Sequence, residues 1–462
     1  MRPFIKFAAA FALLALVPPV VHAAERTLDT PTLKHLGTLG PKQKLRLDTF
    51  PVGPTKLATI EFERGPVYAA DAHVYVETDT GRRELPRSDQ IFLRGYSVDG
   101  ATRVALVLNP DFSVAHGNGD GPEGAFSVHA TKTAAGSALV SNALDADLPA
   151  GFNFEYRCGN ENANLDASAL DTVSEQLQAA ITTQASAATT ATLKNAVVAI
   201  DSDSLFMSRL FSGNTTSATN WIAGMFNTMN VMYERDLNVQ LLIGTTILRT
   251  SLATDPYTGF STTASTAELD AFASYWKANE AAVKRSFAVL LSGAISSSGG
   301  GCSASGIAWI NQYCQNGFGN GGDTVGSYSV TEVCTSLAVD PNGTFDARIV
   351  GHELGHNFGA YHTHCTNKST GAAPTGTNTI DTCYNGESSG GCYSGTPSCP
   401  AAGSGTLMSY CNFTKTSGCA AGTQNQLQFH PTHISIIEAE PGYTGTCLNS
   451  TTADRIFLSG FQ

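Results

Sequence analysis

The pattern of apolar and polar positions differs between the two halves of this chain. Between Gln43 and His129, short segments alternate apolar and polar side chains and are separated by Gly, Pro and Asp. Because successive side chains of a strand point to opposite faces, this pattern predicts a β-rich N-terminal region. The segments with the clearest strand character are residues 44–48, 59–63, 73–77, 91–93, 103–108 and 126–128.

The apolar pattern in the second half of the chain predicts alternating strands and helices. Residues 194–201 and 239–243 are apolar runs suited to buried strands. Residues 216–236 carry apolar side chains near helical spacing, and a second helix is expected at 266–284. A strand at 286–291 follows. This order predicts a domain of the α/β (α+β) class, in which helices pack on a mixed sheet.

The amino terminus has the features of a secretory signal peptide. Arg2 and Lys6 supply positive charge, residues 7–17 form an apolar run, and a small-residue cleavage site ends at Ala23. The run is too short for a membrane anchor, and a Pro-Pro pair breaks it. We therefore expect residues 1–23 to be removed and the protein to be secreted to an extracellular location.

Composition excludes several classes of partner. Lys and Arg total 27 against 39 Asp and Glu, which gives a formal net charge of -12, and charged residues make up only 14% of the chain. Without a basic run, nucleic acid is not expected as a partner. Without a cationic amphipathic helix, a membrane surface is not expected either. We expect a monomer.

The cysteines are unevenly distributed. Of the 11 cysteines, only Cys158 precedes residue 300. An even number near the carboxyl end of an exported chain predicts five disulfides, whose pairing the sequence leaves open. A structural metal held by cysteines is the alternative, but no tight pair of C-x-x-C elements occurs. The ten downstream cysteines are Cys302, Cys314, Cys334, Cys365, Cys383, Cys392, Cys399, Cys411, Cys419 and Cys447.

The segment HELGHNFGAYH, residues 352–362, carries the strongest chemical signal. His352 and His356 are four residues apart, so on a helix both can reach one metal ion. Glu353 would lie near a metal-bound water. Gly359 can adopt the positive φ that ends the helix and lets His362 become a third nitrogen ligand. Three neutral imidazoles with a fourth position for water are typical of a catalytic zinc site.

The residues around this segment favour a helix. Asp346 would lie in the first turn, where its charge interacts favourably with the helix dipole. Thr344 is a candidate N-cap. Apolar side chains around the ligand face would bury the helix, and these are Ile349, Val350, Leu354 and Phe358.

The pattern H-E-x-x-H-x-x-G-x-x-H resembles that of the metzincin zinc endopeptidases. The residues that fill it, HELGHNFGAYH, resemble those of the adamalysin/reprolysin (ADAM-type) branch. The resemblance implies a metzincin-type catalytic domain, with a mixed twisted sheet and long helices, and one catalytic Zn²⁺. It implies protein or peptide substrates. Glu353 would act as the general base towards the zinc-bound water. No pattern in the sequence assigns a structural Ca²⁺ site.

Other residues extend the resemblance. Met408 is the only Met downstream of the motif and matches the Met-turn beneath the metal. Tyr410, two residues later, matches a tyrosine of astacins and serralysins that could stabilise an oxyanion, although adamalysins lack it. Adamalysin motifs usually continue with Asp after the third His, but here Thr363 follows. His364 is an alternative third ligand, although the spacing from Gly359 favours His362. The preferred interpretation of His364 is a surface imidazole beside a disulfide.

Cys158 lies in the segment Tyr-Arg-Cys-Gly-Asn. This segment is similar to the cysteine switch of metzincin zymogens, in which a thiolate takes the fourth zinc position and keeps the enzyme latent. A free or intermolecular cysteine is the alternative. We interpret Cys158 as the zymogen switch.

Two kinds of segment would border the substrate cleft. Residues 306–310 and 326–330 would be strands, where an extended peptide could pair. Residues 365–419 would be a loop-rich, disulfide-held wall of the cleft.

These observations predict a bacterial-type secreted precursor with five parts. They are a signal peptide (1–23), a β-rich pro-domain with the switch (24–165), a linker with the activation cut (166–193), the catalytic domain (194–447) and a flexible tail (448–462).

Two rival functions remain at this point. One is a zinc-bearing binding or adhesion module that hydrolyses nothing, which the intact Glu353 argues against. The other is hydrolysis of a non-peptide amide or ester at the same metal.

The last residues resemble the Ile-Phe-x-x-Gly-Phe ends of some exported bacterial proteins, but a disordered terminus is the preferred interpretation.

Overall fold

A computed structural model describes residues 25–144, 153–162, 193–260, 264–294, 301–333, 343–372, 378–388, 391–398, 405–412 and 427–450. The predicted signal peptide lies outside these ranges. So do the predicted linker except Leu193, and the predicted tail beyond Ser450.

The N-terminal region is rich in strands, as predicted. Its elements are β1 (Glu25–Asp29), α1 (Thr30–Gly37), β2 (Leu45–Pro51), β3 (Leu57–Arg64), β4 (Val74–Thr78), β5 (Gly81–Leu85), β6 (Ile91–Ser97), β7 (Arg103–Leu108), β8 (Val114–Gly121), β9 (Gly124–Thr133), β10 (Gly136–Ala143) and β11 (Asn153–Cys158).

Eight of these strands form one antiparallel sheet in the order β1-β10-β9-β8-β7-β6-β3-β2. One of its faces buries a core of its own beneath α1, with Leu36, Phe50, Phe62 and Leu106 fully buried. Inward and outward side chains alternate along β2 and β3, which matches the alternation in the sequence.

The second half alternates strands and helices, as expected for the α/β class. Its elements are β12 (Lys194–Ser202), α2 (Ser204–Phe211), α3 (Thr215–Asp236), β13 (Val239–Arg249), α4 (Thr266–Asn279), β14 (Phe287–Ser292), β15 (Gly301–Ala308), β16 (Phe318–Asn320), β17 (Asp323–Val325), β18 (Tyr328–Glu332), α5 (Asp346–Asn357), α6 (Pro431–Ala439), α7 (Pro441–Thr444) and β19 (Asn449–Ser450).

The second sheet combines strands from both halves of the chain. Its order is β11-β15-β18-β14-β12-β13-β4-β5, with β19 paired to the start of β12. Strands β12, β13, β14 and β18 are parallel neighbours, and β15 runs antiparallel to β18. The hairpin β4–β5 extends one edge through β13, and β11 extends the other through β15. The N-terminal region therefore supplies both edges of this sheet.

Helix α3 lies between the two sheets. It contacts β13 of the mixed sheet and β6, β7 and β8 of the antiparallel sheet. Phe92 and Val107 of the N-terminal sheet share a hydrophobic core with Met225 and Met229 of α3. Met225 and Met229 are thus core residues of a helix whose apolar side chains recur near helical spacing.

Helix α5, which carries the HELGH segment, begins differently from the prediction. Phe345 occupies the N-cap position in αR conformation, and no side chain among the described residues caps this end, so the prediction of Thr344 as N-cap is wrong. The Thr344 hydroxyl instead accepts a hydrogen bond from Asn118 Nδ2 of β8 at 3.3 Å, because the N-terminal sheet packs here. Asp346 lies in the first turn, as predicted.

Three disulfides occur among the described residues, joining Cys314 to Cys447, Cys365 to Cys392, and Cys383 to Cys411. The last two hold the described parts of the predicted loop-rich wall. Within the described ranges, none of the helices combines the length and apolar character needed to cross a bilayer.

Candidate active site

Four buried side chains converge on one point. The ligand atoms of Cys158, His352, His356 and His362 all lie within 4.8 Å of one another. His356 Nε2 is 3.2 Å from His362 Nε2 and 3.4 Å from Cys158 Sγ. The three imidazoles that the motif predicted as ligands therefore meet, and the predicted switch cysteine meets them.

Two local features of the chain bring the histidines together. His352 and His356 lie one helical turn apart on α5. Gly359 has φ +104°, which ends the helix and turns the chain so that His362 faces it. A side chain at Gly359 would be strained in this conformation, so this glycine determines where the third imidazole lies.

Each imidazole is oriented by a hydrogen bond from its other ring nitrogen. His352 Nδ1 donates to the carbonyl of Leu407 at 2.9 Å, and His356 Nδ1 donates to the carbonyl of Ala360 at 2.7 Å. Such partners fix the tautomer with Nδ1 protonated, which leaves Nε2 free to accept a metal ion. Burial lowers the pKa of His352 and His356 well below the usual value, so both rings are neutral.

His362 receives a carboxylate partner that the sequence analysis missed. Its Nδ1 donates to Glu387 Oε2 at 2.8 Å, and His364 Nε2 bonds the same oxygen. Burial alone would raise the pKa of Glu387, but the charges and hydrogen bonds of His362 and His364 outweigh it and hold that pKa well below its usual range. A carboxylate therefore supports the third histidine, although no Asp follows it in sequence.

The expectation for His364 is wrong in one respect. His364 adjoins the Cys365–Cys392 disulfide, as expected, but it is fully buried rather than at the surface. It lies outside the cluster of four ligands and contacts Glu387 instead. The loop that carries Glu387 folds over His364, because two disulfides tie this loop to the region of the ligands.

Glu353 lies at the centre of the site and contacts β11. Its Oε1 accepts a hydrogen bond from the hydroxyl of Tyr156, and its Oε2 is 3.7 Å from Cys158 Sγ. Burial raises the pKa of Glu353 to about 7, even though the bond from Tyr156 and the charge of His362 act to lower it. Tyr156, like Glu387, was missed by the sequence analysis.

Met408 and Tyr410 both lie at the site. Met408 is fully buried beneath α5, and a Cβ added to Gly355 would come within 2.5 Å of Met408 Sδ, so Gly355 permits this close approach. The hydroxyl of Tyr410 accepts a hydrogen bond from the backbone nitrogen of Cys158 at 3.0 Å. Met408 therefore packs against α5, and Tyr410 contacts β11.

Strand β11 pairs in parallel with β15, so that Cys158 is opposite Gly306. The edge of β15 was expected to pair with an extended peptide, and here a segment of the same chain occupies it. Because side chains on one face of a strand recur every second residue, Tyr156 and Cys158 both point towards α5. This spacing was the only sequence signal that could have identified Tyr156.

The cluster fits a zinc ion. Zn–N bonds of about 2.0–2.1 Å and Zn–S bonds of about 2.3 Å give tetrahedron edges of about 3.3–3.6 Å between ligand atoms. Two observed separations, 3.2 Å between two histidine nitrogens and 3.4 Å between sulfur and nitrogen, are close to those edges, and all four ligand atoms lie within 4.8 Å of one another. Three imidazoles and one thiol are donors that zinc accepts readily.

Comparisons with known proteins find a family match over the second half of the chain. Residues 191–419, just under half of the chain, match the family model Reprolysin_5, described as metallo-peptidase family M12. This similarity supports a reprolysin-like metalloprotease and hence a hydrolase. The matched residues include the HELGH segment and exclude the strands of the N-terminal sheet.

Other comparisons add little. A search of curated proteins finds no match to this chain. A solved structure titled "Structure of a chaperone-substrate complex" shows 12% identity and a TM-score of 0.27, and the match covers 55% of this chain. The chain spans only 36% of the length of that protein. A likeness at this level carries no argument about the fold or the activity.

Proposed function

We propose that this protein is a secreted zinc endopeptidase, made as a latent precursor whose own β11 segment occupies the active site. The convergence of Cys158 with His352, His356 and His362 carries the proposal, because a fourth protein ligand takes the position that catalysis needs open. The similarity of residues 191–419 to metallo-peptidase family M12 supports the peptidase activity.

The chemistry follows from the residues around the candidate metal site. When bound, a zinc ion would supply Lewis acidity beside the scissile carbonyl of a substrate. Glu353 would accept a proton from the attacking water and deliver it to the leaving amine. With β11 in place, burial raises the pKa of Glu353 to about 7. Tyr410, whose hydroxyl contacts β11 in this arrangement, would donate a hydrogen bond to the oxyanion once β11 has left.

Latency would rest on two side chains of β11 that act together. Cys158 would fill the fourth ligand position, and Tyr156 would hold the carboxylate of Glu353. The parallel pairing of β11 with β15 would also keep a substrate strand from that edge. Removing β11 would free the ligand position, the general base and the sheet edge at once.

Glu387 would act as a positioning residue for His362. A carboxylate that accepts from the outer nitrogen of a ligating imidazole fixes its orientation and raises its basicity. His364 bonds the same oxygen of Glu387 and helps to hold the carboxylate in place. The three disulfides among the described residues support an oxidising, extracellular location.

The proposal is tested on the purified precursor and on protein from which the N-terminal region has been cleaved. The cleaved form should hydrolyse an unfolded protein, lose activity in a chelator and regain it with Zn²⁺. The intact precursor should contain one equivalent of zinc and remain inactive. A cleaved form that contains zinc but hydrolyses neither unfolded protein nor peptides would contradict the proposal.

A further inference from the structure

A second polar site lies far in sequence from the candidate metal centre, between the N-terminal sheet and the carboxyl end of α3. A cavity of about 210 Å³ opens there. Its walls include Arg94 of β6, Arg103 of β7, and Asn230, Glu234 and Arg235 of α3. Both halves of the chain therefore contribute side chains to one cavity.

Two arginines in this wall have unpartnered donors. Arg94 is only 3% exposed, yet among the residues that the structure describes its Nη1 and Nη2 have no hydrogen-bond partner. The Nε of Arg103 is also buried and has no partner within the described ranges. A guanidinium stays charged at all relevant pH values, and burying its donors without acceptors is costly.

The other charged groups of the cavity are already engaged. Glu234 Oε1 accepts from Arg94 Nε at 3.3 Å and from Gln240 Nε2 at 2.9 Å. Arg235 donates to Asp120 at 2.8 Å and also to Asp236. Within the described ranges no protein acceptor pairs with these donors of Arg94 and Arg103, so the acceptors would have to come from a ligand in the cavity.

We propose that this cavity binds a small tetrahedral oxyanion, phosphate or sulfate. Such an anion carries several acceptor oxygens and can receive two parallel bonds from one guanidinium, which is the geometry that arginine favours. The ring of Tyr96 lies 4.5 Å below the guanidinium of Arg103 and holds it at the cavity. A cavity of about 210 Å³ has room for the anion together with water.

The bound anion would stabilise the contact between the two halves of the chain. It would accept from Arg94 and Arg103 of the N-terminal sheet, and Arg94 is itself paired with Glu234 of α3. A ligand that binds only this assembled state stabilises it by mass action. Phosphate should therefore stabilise the packing of the N-terminal sheet on α3, independently of any hydrolytic activity.

The test titrates the full precursor with phosphate, sulfate, acetate and chloride at equal ionic strength, and follows heat of binding and thermal unfolding. We expect saturable binding of phosphate and sulfate, with a rise in Tm that chloride and acetate do not produce. Substituting Arg103→Met should weaken phosphate binding at least about 10-fold, because a charge-assisted donor is lost.

The matched control is Arg46→Met, which removes a 58% exposed arginine from the same sheet and should leave phosphate binding unchanged. Arg94→Met should abolish binding, and if this variant does not fold, Arg103→Met decides the question. Phosphate affinity in Arg103→Met equal to that of the parent would overturn the proposal. So would a parent protein without saturable binding, or an equal Tm rise with acetate.

Discussion

The hydroxyl of Tyr156 donates a hydrogen bond to the carboxylate of Glu353. Tyr156 precedes Cys158 by two residues on β11, so both side chains reach α5 from one face of one strand. A single extended segment therefore contacts the candidate general base and the candidate metal ligands together. Its removal would change both contacts in one step.

Substituting Cys158→Ala should produce a precursor that hydrolyses protein before any cleavage, or that degrades itself during expression. The three histidines remain, so zinc should still bind, and the fourth position becomes open to water. Hydrolysis of an unfolded protein by the uncleaved precursor is the measurement. A Cys158→Ala precursor as inactive as the parent would show that latency does not depend on this thiol.

Tyr156→Phe should weaken latency less than Cys158→Ala does. The thiol still reaches the metal site, but the carboxylate of Glu353 loses its phenol donor and becomes free to act on water. We expect measurable hydrolysis by the uncleaved Tyr156→Phe precursor, between the rates of the parent and Cys158→Ala. Tyr75→Phe, on the β4–β5 hairpin, is the control and should remain inactive. Equal rates for the two Tyr variants would remove Tyr156 from the mechanism.

Glu353→Gln and His352→Ala should fail in different ways. The amide of Glu353→Gln cannot accept a proton, so the cleaved enzyme should lose hydrolysis by about 10²–10⁴-fold while it keeps zinc. His352→Ala removes a ligand, so zinc itself should be lost. Metal content and hydrolysis are measured on the same preparations. Loss of zinc from Glu353→Gln would assign that residue to the ligand set instead.

Glu387→Gln should weaken zinc binding by roughly 10–100-fold, because the amide supports His362 less well than a carboxylate does. Competition with a chelator of known affinity measures this effect without an activity assay. Glu123→Gln, at a side chain that is 52% exposed, is the control and should bind zinc like the parent. Unchanged affinity in Glu387→Gln would limit this carboxylate to holding the loop.

Because of Glu332, the free energy of unfolding should fall as pH rises. It is buried, its Oε2 accepts from Ser305 Oγ at 2.8 Å, and burial raises its pKa from 4.5 to about 8 despite that bond. A pKa higher in the folded than in the unfolded state gives stability that is fully present below the unfolded value. That stability is lost as pH rises towards the folded value.

The substitution Glu332→Gln keeps the shape of the side chain and removes the titration. Since one pKa unit corresponds to about 1.4 kcal/mol, the parent should lose a few kcal/mol relative to Glu332→Gln between about pH 5 and about pH 8. Chemical unfolding at several pH values measures the difference. Glu84→Gln, with a 59% exposed side chain, should follow the parent. Parallel curves for Glu332→Gln and the parent would mean that Glu332 is ionised when buried.

The local pattern of the sequence predicted most of the strands and helices. Residues 103–108 have strand character, and residues 239–243 form an apolar run suited to a buried strand. These segments lie in β7 and β13, respectively. The helix predicted at 216–236 is α3, whereas the one predicted at 266–284 ends at Asn279. These predictions succeeded because the periods of side-chain burial are properties of the strand and the helix themselves.

Residues joined by tertiary packing could not be predicted in this way. Thr344 was expected to cap α5, but Asn118 engages its hydroxyl from another sheet. Glu387 lies in a loop without a helical or strand period, and its partner His362 is 25 residues away. The sharing of β4, β5 and β11 with the second sheet likewise had no local signal.

The sequence by itself determined which imidazoles can share one candidate metal site: His352 and His356 through the spacing of one helical turn, and His362 through the turn that Gly359 permits. Only the tertiary structure decided what surrounds them, namely Cys158 and Tyr156 from β11 and Glu387 from a disulfide-bound loop. The physical reason is the separation along the chain between the residues that interact. Spacing along a helix is fixed by bonds between near neighbours, whereas these contacts depend on how distant segments pack.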